Sequence, residues 1–206
     1  MRILDEKPDT RRPAIVQAAT RLFSRRGIDA TSMRDIANAA GVREAAIYRH
    51  FAGKEEMSRD IFASWYEWYS SQLREIACGA GEVREKVYRI ACLELTAAED
   101  HTEAFVYFCE NEARFLRDLP PQVPRAREEL SAMIKKGQRR QDVRTGDIGL
   151  LADMLGGALC GAALSWIRRG RRGRLSRRAV LVGETCWRMI AANDRPQSAF
   201  SQGVRK

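Results

Sequence analysis

The apolar residues of this 206-residue chain recur at helical spacing and nowhere alternate as they would along a strand. No run of alternating β-branched residues exceeds a few positions, and no Asn-Gly or Asp-Gly pair marks a hairpin. The pattern predicts an all-α chain. Ile15, Ala18, Ala19, Leu22 and Phe23 form one face of a first helix over 11–26. Pro13 sits in its first turn, where a missing N–H costs nothing, and Gly27 ends it. A second, short helix over 32–39 has capping-box spacing from Ser32 to Asp35.

Longer helices are expected over 54–77, 82–98, 102–116, 124–136, 147–167 and 176–192, with a break at LPPQVP. A polar tail with Pro, Gly and Ser follows over 194–206, expected to be frayed. The reading divides the chain into residues 1–53 and a larger helical unit over 54–193.

One segment tests this scheme. Residues 148–167, IGLLADMLGGALCGAALSWI, carry a single charge and precede RRGRRGR, which suits a membrane span by length and flanks. Asp153 opposes that reading, because a carboxylate near the bilayer centre costs roughly 2.5–3.5 kcal/mol on insertion scales. A core or dimer-interface helix accounts for the segment without that cost, so no membrane partner is expected.

Within 32–51 the spacing is more informative. Ile36 and Ala37 precede Gly41 by five and four positions, Val42 follows it, and Ile47 lies six beyond. Those are the packing needs of a helix-turn-helix: a small residue for close approach, a glycine tolerating positive φ in the turn, and apolar residues that lock the pair. The second helix, expected over 43–51, would then turn Arg43, Glu44, Ala45, Ala46 and Arg49 outward, where a major groove would lie.

The stretch RPAIVQAATRLFSRRGIDATSMRDIANAAGVREAAIYRHFAGKEEM, residues 12–57, resembles the N-terminal domain of the TetR family of bacterial transcriptional regulators. It shares the AA..LF...G first helix, the T-S...IA..AGV support helix and turn, the IY.HF ending and the KE pair. The resemblance implies a helical DNA-binding head and a larger helical ligand-binding and dimerisation unit. Ser32 and Arg34 would meet phosphate at the start of the support helix. Tyr48, His50 and Lys54 match positions that contact phosphate in the family. Base reading falls to Arg43 on a guanine edge, Glu44 on cytosine N4, and the methyls of Ala45 and Ala46 on thymine. This sequence departs from the family in having Arg43 where Ser or Thr caps the recognition helix, and Ala45-Ala46 where Gly-Thr is usual. Arg43 is no acceptor, so either the helix start is shifted or its end is less well satisfied.

The resemblance also implies a homodimer through helices 147–167 and 176–192, a palindromic double-stranded DNA operator, and a small-molecule effector enclosed by the middle helices. Trp65, Trp68, Tyr69, Tyr88, Phe105, Phe108 and Cys109 recur at helical spacing as pocket candidates, with ordinary core packing as the alternative. Glu94 and Glu112 interrupt apolar stripes. A salt bridge to Arg89 or Arg114 is the common account of such carboxylates, a cationic ligand the other.

Charge and composition agree with a polyanionic partner. The net charge is +9, although six of the 36 basic residues are Lys and 30 are Arg, a skew that genome composition also produces. The arginine-rich stretch 168–178 reads as a solvated loop, or else as a second nucleic-acid or membrane contact. Five cysteines without a CxxC, and an opening segment without the apolar core of a secretory signal, point to reduced thiols in the cytoplasm. Two histidines, neither with a second ligand at metal spacing, give no metal site, and no cofactor motif occurs. No Ser-His-Asp set, GxSxG elbow or Gly-rich phosphate loop supports an enzyme. The expected function is a ligand-responsive repressor. An activator of the same architecture is the alternative, with an enzyme or a membrane-surface protein as more distant ones.

Overall fold

The computed structural model describes residues 11–192 as a helical protein. The expected tail over 194–206 lies outside the described residues. The chain runs α1 (Arg11–Arg26), α2 (Met33–Ala40), α3 (Glu44–Ile47), α4 (Lys54–Cys78), α5 (Val83–Asp100), α6 (Thr102–Phe115), α7 (Ala126–Arg139), α8 (Ile148–Arg168) and α9 (Ala179–Ile190). The helix expected over 43–51 is shorter than the sequence implied. Regular α-helix covers only Glu44–Ile47 and gives way to a turn through Tyr48 to His50.

Two apolar clusters hold the helices together. The first runs without a break from Ile15, Phe23, Ile36, Ile47 and Phe51 through Met57 and Phe62 to Phe105, Tyr107 and Phe108. It therefore joins the three N-terminal helices to α4 and α6. Phe23 on α1 stacks on Tyr107 on α6 at 5.7 Å between ring centres, and the Tyr107 hydroxyl donates to the Ser58 carbonyl on α4 at 2.7 Å. The second cluster, with Leu73, Val87, Ile90, Ile134, Leu155 and Ile190, fills the far end between α4, α5, α7, α8 and α9.

Helix α8 enters this core along one side only. Leu151, Leu155, Leu159, Ala163 and Trp166 are buried, while Leu150, Met154, Gly157, Ala158 and Gly161 stay exposed. Asp153 receives two bonds from the Arg127 guanidinium on α7, at 2.6 and 3.0 Å. The charge that weighed against a span is thus used to tie α8 to α7. On α9, Gly183 lets the helix lie directly on α5, since a Cβ there would meet Tyr88 Cδ1 at 2.9 Å and Tyr88 Cα at 3.2 Å. The Tyr88 hydroxyl donates to Glu184, which also accepts from Arg84 and Arg188.

The arginine-rich stretch is pinned rather than loose. Trp166 Nε1 donates to the carbonyls of Arg172 and Gly173, Arg174 pairs with Glu99 at 3.4 Å, and the Ser176 amide donates to Glu99. Leu175 is buried beneath it.

Glu94 corrects an expectation. It is buried, 4 % exposed, and its partner is no arginine: the Tyr69 hydroxyl donates to it at 2.6 Å. Arg114, the expected counter-ion, instead pairs with Glu55 at 3.0 Å. Burial pushes the Glu94 carboxyl up to about 7, against the lowering effect of the Tyr69 bond.

Two outcomes follow from this packing. Gly183→Ala should destabilise the protein by about 1–3 kcal/mol in urea melts, because the backbone of Tyr88 blocks the added methyl. For Glu94 the folded pKa lies above the unfolded one, so the native state binds the extra proton. Stability is then highest below about pH 4.5 for this group and falls as pH rises through 7. The loss is on the order of 3 kcal/mol. Glu94→Gln should flatten that part of the stability–pH curve.

Candidate nucleic-acid interface

The helix-turn-helix is built by backbone geometry as much as by side chains. Gly41 closes α2 in the left-handed region, φ 66°, and the Val42 amide returns to the Ala37 carbonyl at 3.0 Å. That turn is open only to a residue without a Cβ penalty. Val42 then packs, half-buried, on the first cluster, and Ile47 is fully buried beside Ile36. Their burial decides which side of α3 faces away from the protein.

Arg43, Glu44 and Ala45 are exposed on that side, as are Tyr48 and Arg49 in the following turn. Ala46 and His50 are half-buried, so Ala46 offers less surface than expected. Arg43 stands at the N-cap of α3 with extended backbone and makes no side-chain cap bond, in keeping with its lack of an acceptor. Arg34, Arg43 and Arg49 form no ion pair among the described residues. Tyr48 is 52 % exposed, a large share for a tyrosine that joins no part of the core.

Two expected phosphate contacts are already engaged within the chain. Ser32 and Asp35 form a complete capping box: the Asp35 amide donates to Ser32 Oγ at 3.1 Å and the Ser32 amide to Asp35 Oδ2 at 3.0 Å. Ser32 Oγ also donates to Asp35 Oδ2 at 2.6 Å, and these bonds hold the carboxyl of Asp35 below its usual range. Lys54 Nζ donates to the Asp29 carbonyl at 3.2 Å, tying the start of α4 to the α1–α2 loop. Arg34 lies exposed on α2 beside them.

The expected ligand-binding residues are not gathered around one cavity. Phe105 and Phe108 are buried in the first cluster, with the Phe108 ring 5.6 Å from Phe62. Tyr69 is committed to Glu94, and Tyr88 to α9. Cys109 meets Cys160 across α6 and α8 at 3.4 Å between sulfurs, both as free thiols. Glu112 is exposed. Trp65 and Trp68 line separate clefts. Sequence reasoning overlooked the α1 side of the first of these clefts, where Gln17 and Thr20 sit. No local signal marks them, because the cleft exists only once α1 docks on the long helices.

Comparison with known proteins bears on this geometry. The sequence model of the tetR family of bacterial regulatory proteins matches residues 15–61, which span α1 through the first part of α4. The HTH-type transcriptional repressor KstR2 of Mycolicibacterium smegmatis is 33% identical over 114 residues, 55% of each chain. The chain therefore spans about half the length of that relative. Among solved structures, the ketosteroid transcriptional regulator KstR2 of Mycobacterium tuberculosis superposes with TM-score 0.76 at 21% identity, over 91% of this chain and 98% of that one. FadR of Bacillus subtilis, solved with stearoyl-CoA, superposes with TM-score 0.68 at 16% identity, over 84% of this chain and 96% of its own. The fold is thus shared over most of the chain, and the family model falls on the helix-turn-helix and the helices beside it. That N-terminal unit carries the sequence pattern of the TetR family of bacterial regulatory proteins.

Proposed function

We propose that this chain is a DNA-binding transcriptional repressor that docks as a homodimer on a palindromic operator in the bacterial cytoplasm and is released by a small molecule. The observation that carries the reading is the exposed face of α3 and its following turn. Two arginines, Arg43 and Arg49, stand there without an ion pair among the described residues, around the small side chain of Ala45, and Arg34 is exposed on α2. That combination lets a backbone approach base edges while cations meet the flanking phosphates. Arg43 and Glu44 are the proposed readers of bases, with Ala45 and Ala46 on thymine methyls. Arg34, Tyr48, Arg49 and His50 are the proposed phosphate contacts. Ser32 and Lys54 join them only by giving up or sharing their present bonds.

Residues 11–53 serve in this reading as the reading head and 54–192 as the body. The dimer is supported by the outward side of α8 and α9. Leu150, Met154, Val180 and Leu181 are exposed there, Val180 and Leu181 each at 69 %. Gly157, Ala158 and Gly161 lie in the same exposed strip of α8 and permit close helix approach. Exposed apolar surface of this kind is what a second helical pair would cover. A dimer presents two recognition helices one DNA turn apart, which a single short reading head needs for specific affinity. For the effector we propose a molecule with a large apolar part, as in the stearoyl-CoA with which FadR of Bacillus subtilis was solved.

Fluorescence anisotropy on DNA from upstream of the coding region, across a salt series, tests the reading. Binding should outcompete random DNA. Arg43→Ala should lose about 1–3 kcal/mol of discrimination at one base pair, while Tyr48→Phe weakens all sequences alike. Equal competition by random DNA and indifference to both changes would overturn the specific-regulator reading. For the dimer, Leu181→Glu should convert the protein to monomer in sedimentation and weaken operator binding at the same time; a monomeric wild type would sink that part.

A further inference from the structure

Cys109 on α6 and Cys160 on α8 are the one pair of cysteines among the described residues whose sulfurs meet, at 3.4 Å. Both are free thiols and both are part-exposed. Within a helix the backbone is already covered, so the exposure of a cysteine falls mainly on its Cβ and Sγ. Both pack against the apolar cluster that joins head and body. Cys160 turns toward α6, while its neighbour Gly161 lies in the exposed strip of α8. The other cysteines are placed differently. Cys78 and Cys92 are exposed, with Cys78 bonded to Glu129, and Cys186 is buried. Burial pushes the Cys186 thiol up to about 11, where it is inert.

A separation of 3.4 Å falls in the range, about 3–3.5 Å, at which reacting atoms stand poised to form a bond. The two sulfurs are not equivalent. The bond from Cys109 holds the Cys160 thiol below its usual range; burial, Glu94 and Glu112 oppose this, and Arg168 assists it. The same bond, together with burial, raises the Cys109 thiol. Cys109 is thus the donor, and Cys160 is the sulfur that ionises first and attacks. The position has a consequence as well. Tyr107, one helical half-turn before Cys109 on α6, is the side chain that ties α1 and α4 to that helix.

We propose that Cys109 and Cys160 form a peroxide-oxidisable pair, and that the disulfide they make lowers operator affinity. The chemical half stands on the contact between the thiols; its regulatory consequence rests on the repressor reading. The Cys160 thiolate attacks one oxygen of hydrogen peroxide. The O–O bond breaks, a sulfenic acid forms, and the departing hydroxide takes up the proton that the thiol released. The Cys109 sulfur then displaces hydroxide from the Cys160 sulfur, and its own proton leaves with that hydroxide as water. In sum, two thiols and one peroxide give one disulfide and two waters, the sulfurs losing the two electrons that the peroxide oxygens gain. Bonded sulfurs lie closer than sulfurs in contact, so the bond draws α6 and α8 together. That movement works against the hold of Tyr107 on Phe23 and Ser58 and shifts the population of reading-head orientations.

The test treats the full chain with hydrogen peroxide, as the wild type and in a Cys78→Ser/Cys92→Ser background that removes the exposed thiols. Peptide mapping should find an intrachain crosslink from Cys109 to Cys160 in both, reversed by dithiothreitol. Cys109→Ser should stop at a sulfenic acid on Cys160 that dimedone traps. Cys160→Ser should react about tenfold more slowly, because burial, Glu94 and Glu112 keep the remaining Cys109 thiol protonated. Equal rates in the two variants overturn the assigned order of attack. A crosslink through another cysteine or between two chains, or sulfinic acid at Cys160 without a crosslink, overturns the pair, as does no reaction at peroxide levels that oxidise free cysteine. Anisotropy should then read operator affinity about tenfold lower for the crosslinked wild type, within the usual span of coupling between sites, and no such loss in peroxide-treated Cys109→Ser. Equal affinity before and after crosslinking overturns the regulatory half. A reduced protein that binds no operator refutes the repressor reading instead, and peptide mapping still decides the pair.

Discussion

Everything else in this structure depends on how α1 docks on the long helices. Phe23 stacks on Tyr107, and the Tyr107 hydroxyl reaches the Ser58 carbonyl, so one aromatic pair ties α1, α6 and α4 together. Burial raises the pKa of that hydroxyl, keeping it a neutral donor. The apolar cluster continues through this contact without a gap, from Ile36 and Ile47 in the helix-turn-helix to Phe62 and Phe108 in the body. A head joined only by a flexible linker could not transmit a change in the body to a change in its own direction. A head joined by packed side chains can, because such contacts have discrete arrangements and do not deform continuously.

The same docking explains the electrostatic ties around it. Arg114 on α6 bridges to Glu55 at the start of α4 and lies 3.9 Å from Asp29 in the α1–α2 loop, while Arg25 on α1 reaches Glu103 on α6. These pairs are solvent-exposed and contribute little stability individually. Their position is more informative than their strength. They tie α1 and the α1–α2 loop to α4 and α6, Glu103 also lines the cleft beside Trp65, and none of them engages Arg43 or Arg49.

Much of the reading head is legible in the sequence because its determinants are local. The capping box from Ser32 to Asp35, the left-handed Gly41 and the apolar lock of Val42 and Ile47 are each written within a few residues of the place where they act. The missing cap at Arg43 is equally visible. The shortness of α3 is not. A run of nine residues with helical pattern breaks after Ile47 because Phe51 must turn back into the core, and that burial is a tertiary demand.

The body was legible as helices but not as a site. Periodicity marks Tyr69, Tyr88, Glu94 and Cys109 as inward-facing, yet it does not say which neighbour each meets. Glu94 found a tyrosine and no arginine, Tyr88 was spent on α9, and Cys109 on Cys160. What the sequence alone determined is the all-α class, the helix-turn-helix and the residues of its outer face, because hydrophobic period, caps and turn chemistry act over less than two helical turns. Only the tertiary structure decided the partners of the buried polar groups, the half-exposed side of α8 and the cavity between α1 and the body. Those depend on contacts between segments tens of residues apart, and no local pattern records the distance at which two helices come to rest.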